Sequence, residues 1–74
     1  MFGSKKAKLE SKVKRLNALR AEYRAEMEQA ERLHKQREMG GEELSRIKRR
    51  SEAKMEDIAE KIRMARAELE ALKE

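Results

Sequence analysis

Few residues in this chain have chemistry to offer. His34 is the single histidine and follows Glu31 by three positions, the Glu-x-x-His spacing with which helical bundles present a carboxylate and an imidazole to iron or manganese. Such a centre needs two of these motifs and further inward carboxylates. A dimer would supply the second motif, but the helix pairing derived below sets Ile47 and Arg50 opposite it, an aliphatic side chain and a cation that oppose metal binding. With no cysteine there is no thiolate zinc site and no disulfide. The serines lie alone, without a base, and Gly40-Gly41 lacks the rest of a phosphate-cradling loop. The sequence therefore predicts no catalytic residue, no metal, no cofactor and no enzymatic activity.

The remaining chemistry is that of anion binding. Residues 5 to 20 hold Lys5, Lys6, Lys8, Lys12, Lys14, Arg15 and Arg20 against Glu10 alone, and a second cluster of Arg46, Lys48, Arg49 and Arg50 lies past the glycines. Arg32, Lys35 and Arg37 face that second cluster, diluted by Glu38, Glu42 and Glu43. Lysine and arginine so placed neutralise phosphates without reading sequence, and the pI of about 9.7 agrees. The candidate anion-binding residues are thus Lys5, Lys6, Lys8, Lys12, Lys14, Arg15, Arg46, Lys48, Arg49 and Arg50. Between the clusters the chain is acidic, with Glu22, Glu26, Glu28, Glu31, Glu52, Glu56, Asp57 and Glu60. Glu28 with Arg32, Glu31 with Lys35 and Asp57 with Lys61 have the i,i+4 spacing of helix-surface pairs. Base stacking finds no support, because Phe2 and Tyr23 are the only aromatic residues and Tyr23 falls on an apolar stripe.

The elements that position these groups follow from periodicity. The chain has 74 residues, 47% of them charged, with a net charge of +5 and a mean hydropathy of -1.10. That composition suits disorder unless the apolar residues are patterned. They are patterned. Leu9, Val13, Leu16, Leu19, Tyr23, Met27, Ala30 and Leu33 form one helical stripe, and Leu44, Ile47, Ser51, Met55, Ile58, Ile62, Ala65, Leu69 and Leu72 form another. The chain has no proline, and good helix formers fill the surface positions. We expect a flexible segment over 1–3, a first helix over 4–38 capped by Ser4, a Gly-Gly turn over 39–41 and a second helix over 42–74, all in a single domain.

Folding the chain about its glycines gives an antiparallel coiled-coil hairpin in which facing residue numbers sum to about 81. Leu9 then meets Leu72, Tyr23 meets Ile58 and Ala30 meets Ser51. The heptad phase also continues through the break, so a swapped dimer of long antiparallel helices makes the same layers in trans. Outer alanines (Ala7, Ala18, Ala21, Ala25, Ala53, Ala67, Ala71) and Met64 offer a second face, and pairing there predicts a homodimeric four-helix bundle.

Function is expected to be that of a coiled-coil scaffold or adaptor acting through protein-protein assembly. Nucleic-acid binding is the alternative. The chain is similar in size to the small basic two-helix protein of the large ribosomal subunit, and Arg46-Ile47-Lys48-Arg49-Arg50 and Asp57-Ile58-Ala59 resemble segments of that family's second helix. Their spacing departs from that family, so no family is assigned. A third expectation is membrane-surface contact through Phe2 beside Lys5, Lys6 and Lys8, which one bulky side chain supports weakly. No apolar run approaches the ~20 residues of a membrane span or the ~7–15 of a signal peptide core, which predicts a cytoplasmic protein.

Overall fold

A computed structural model of the chain describes residues 4–73. The expected flexible segment 1–3, with Phe2, lies outside the described residues, as does Glu74. Two helices, α1 (Lys5–Lys35) and α2 (Gly41–Ala71), pack against each other as a hairpin, and among the described residues there is no strand. The rod measures 54 × 19 × 13 Å.

Ser4 caps α1 as its type predicts, its Oγ accepting from the Ala7 N–H at 3.1 Å. The other end of α1 differs from expectation, because the helix stops at Lys35, three residues before position 38. Arg37 takes the left-handed conformation, with φ at 62°. The Glu38 N–H then donates to the Leu33 carbonyl at 2.8 Å and the Arg37 N–H to the His34 carbonyl at 3.0 Å, the paired bonds of a Schellman cap. Arg32 and Lys35 place positive charge at the negative end of the helix dipole. Neither glycine makes the turn. Gly40 is extended (φ -75°, ψ 160°) and serves as the N-cap of α2, while Gly41 is its first helical residue.

Moving the turn from the glycines to residues 36–40 also moves the register. Across the hairpin the Ser51 Oγ–H donates to Glu26 Oε1 at 3.3 Å, Arg50 reaches the same oxygen at 3.4 Å, and Lys48 Nζ lies 3.4 Å from Glu31 Oε2. Those residue numbers sum to 77, 76 and 79 instead of the expected 81. A register near 78 is compatible with all three and would set Leu9 level with Leu69, Leu16 with Ile62, Arg20 with Ile58 and Met27 with Ser51.

The core is thin. Leu9, Ala30, Ile58, Ile62 and Ala65 are buried, and Ser51 is wholly so. Val13, Leu16, Tyr23, Met27, Leu33, Leu44, Ile47, Met55 and Leu69 are half-buried, whereas Leu19 and Leu72 remain 40% and 44% exposed. The strict alternation of 3 and 4 explains Leu19. Counting from Leu16 to Tyr23, it places Arg20 on the seam and turns Leu19 to the flank. Arg20 is half-buried there, and its guanidinium donates to Asn17 Oδ1 at 2.7 Å. In α2 the same alternation selects Lys48, which is half-buried beside Ile47. Long cationic side chains tolerate such sites by burying their stems and keeping their charged ends in water.

Candidate interaction surfaces

The Glu-x-x-His pair is divided between two structural tasks. His34 Nδ1–H donates to the Met39 carbonyl at 2.9 Å and ties the turn to the end of α1. Glu31 is held instead by Lys48 of α2. Among the described residues no three of His, Asp and Glu gather closely enough to hold a metal ion.

The two basic clusters have different surroundings. Lys5, Lys6, Lys8, Lys12, Lys14 and Arg15 are all exposed, and among the described residues none lies within ion-pair distance of a carboxylate. In the second cluster Lys48 lies 3.4 Å from Glu31 and Arg50 3.4 Å from Glu26, both in solvated pairs. Arg46 and Arg49 are exposed beside the start of α2, where they line a shallow depression with Gly41, Ser45 and the acidic Glu42. The sequence could not signal this division, because an arginine at a cross-helix position and one facing solvent read alike until the register is known.

Of the expected surface pairs, Asp57 and Lys61 meet at 3.3 Å, while Glu31 prefers its cross-helix partner to Lys35. Glu60 and Arg63 add a two-pronged contact with a shortest distance of 2.8 Å. These pairs are solvated and hold local geometry more than they stabilise the fold.

The outer apolar surface is discontinuous. Ala7, Ala18, Ala21, Ala25, Ala53, Ala67 and Ala71 are exposed, and Met64 is 63% exposed. An open groove of about 560 Å³ is lined by Leu16, Ala18 and Leu19 together with Lys12, Arg15, Glu22 and Lys61. No helix among the described residues is long and apolar enough to cross a membrane. No protein-family model, curated protein or solved structure matches this chain.

Proposed function

We propose that this protein is a non-enzymatic scaffold: a helical hairpin that self-associates as a homodimer and brings helices of other proteins together through its outer faces. Surface area carries the reading. The hairpin exposes 6159 Å², whereas a compact monomer of its 8.7 kDa mass exposes roughly 4,700 Å². Five buried apolar side chains are a small core for a chain of this length. Association covers the excess and supplies the missing burial. Light scattering on a size-exclusion column tests this directly. A mass twice 8.7 kDa supports the proposal, and a monomer at every loading concentration would defeat it.

A second reading rests on the first basic cluster. Lys5, Lys6 and Lys8 crowd the positive end of the α1 dipole, whose first turn holds no acidic residue. A polyanion such as structured RNA would relieve that repulsion. Protein purified without nuclease should then carry 260 nm absorbance that leaves at high salt. Reversing Lys6, Lys8 and Lys14 to Glu should abolish the signal and keep the helicity; a signal that persists refutes the reading.

A further inference from the structure

One face of the hairpin carries a charge pattern that complements itself when reversed. Lys12, Arg15, Leu19, Glu22 and Glu26 follow one another along α1 in steps of 3, 4, 3 and 4, so they form a single stripe with two cations, a leucine and two anions. Lys61 of α2 edges the groove around Leu19, and Arg50 of α2 reaches Glu26, so the stripe borders α2 on a broad face of the rod.

We infer that a second copy of this chain docks antiparallel on this face, with a two-fold axis passing through Leu19. The inference rests on the self-association proposed above and specifies its surface and direction. An isologous interface brings the same patch of both copies together, so the patch must match itself after a half-turn. Rotation about Leu19 sets Lys12 against Glu26 of the second copy, about 10 Å from the axis at 1.5 Å per residue. Arg15 falls beside Glu22 of the second copy, and the two Leu19 side chains meet at the centre. A parallel arrangement in which the two α1 stripes meet fails on the same residues, since it stacks Lys12 on Lys12 and Arg15 on Arg15. The exposed Leu19 and Met64 provide the apolar centre. In area, a broad face of 54 by 19 Å offers roughly 1,000 Å² per copy, which matches the ~1,200–2,000 Å² in total that stable interfaces bury.

Charge reversal with rescue is the test. Arg15 and Glu22 are exposed and make no cross-helix pair among the described residues, so exchanging them should leave the hairpin intact. Sedimentation equilibrium should show Arg15→Glu alone and Glu22→Arg alone each weakening the dimer by about tenfold or more, and the chain carrying both changes regaining most of that loss. Because the chain has no cysteine, nitroxides can be placed through Leu19→Cys or Ala7→Cys. The antiparallel dimer should give a short label separation at position 19, below ~20 Å, and one of ~36 Å or more at position 7. A dimer in which the double exchange restores nothing, or in which position 7 gives the short distance, would overturn this docking mode and leave the scaffold proposal standing. A wild-type chain that stays monomeric would overturn both.

Discussion

Arg37 occupies a conformation that glycine adopts at no steric cost and other L-residues avoid. Its Cβ is tolerated because two backbone hydrogen bonds and the His34 tie hold the turn around it. Arg37→Gly should therefore stabilise the hairpin by about 1 kcal/mol, raising a melting midpoint followed at 222 nm by roughly 4–8 °C. An unchanged or lower midpoint would mean that the left-handed cap is not where the chain turns. Ser51 presents the opposite constraint, since it is wholly buried on the seam. Ser51→Leu should cost ~1–3 kcal/mol by overpacking. Ser51→Ala should change little, because Glu26 keeps Arg50 and solvent when the hydroxyl is lost. If urea denaturation showed the two variants to be equally stable, the close packing assigned to Ser51 would be wrong.

Between the two helices, register decides which substitutions are fatal. Near a sum of 78, Ile62 lies level with Leu16, and Ile58 lies level with Arg20; both isoleucines are 4% exposed. Ile62→Asp buries a carboxylate against a leucine and should cost more than ~3 kcal/mol, enough to unfold a small hairpin. Ile58→Asp places the same carboxylate within the reach of a guanidinium and should retain more helix by circular dichroism. Equal losses would point back to the register of 81, in which both positions face apolar side chains. The contrast also shows what the sequence could disclose. Two helices and a Ser4 cap were legible because periodicity and a capping hydroxyl are written in residue types. The turn was legible only to within a few residues, because a left-handed arginine carries no compositional mark and Gly40-Gly41 drew the fold point toward itself. The side-chain contacts across the hairpin accordingly fall a few residues short of the sum of 81 expected from the glycines. The displaced turn also hid the cross-helix contacts of Glu26, Glu31, Lys48 and Arg50. Leu19 was read as seam because it is apolar, whereas the seven-residue repeat of a supercoil gives that place to Arg20.

For the whole molecule, the decisive quantity is how stability depends on concentration. A hairpin that stands alone unfolds in a unimolecular step, and its melting midpoint ignores dilution. A dimer that gains its missing burial from a second copy dissociates as it unfolds, so mass action enters the midpoint. Each tenfold dilution removes about 1.4 kcal/mol from the dimer at room temperature. A hundredfold dilution therefore removes about 2.7 kcal/mol. Unfolding two chains of this length carries an entropy of ~310 cal/mol/K at ~2.1 cal/mol/K per residue, so the midpoint should fall by about 9 °C across that range. The prediction is independent of the docking direction inferred above, because any homodimer coupled to folding obeys it. It also separates association from electrostatics, since dilution at constant salt leaves the charge clusters and their screening unchanged. A midpoint that stays within about 1 °C over a hundredfold dilution would assign the whole stability to the five buried apolar residues of a single hairpin, and the exposed Leu19, Met64 and Leu72 would then need a different protein to cover them.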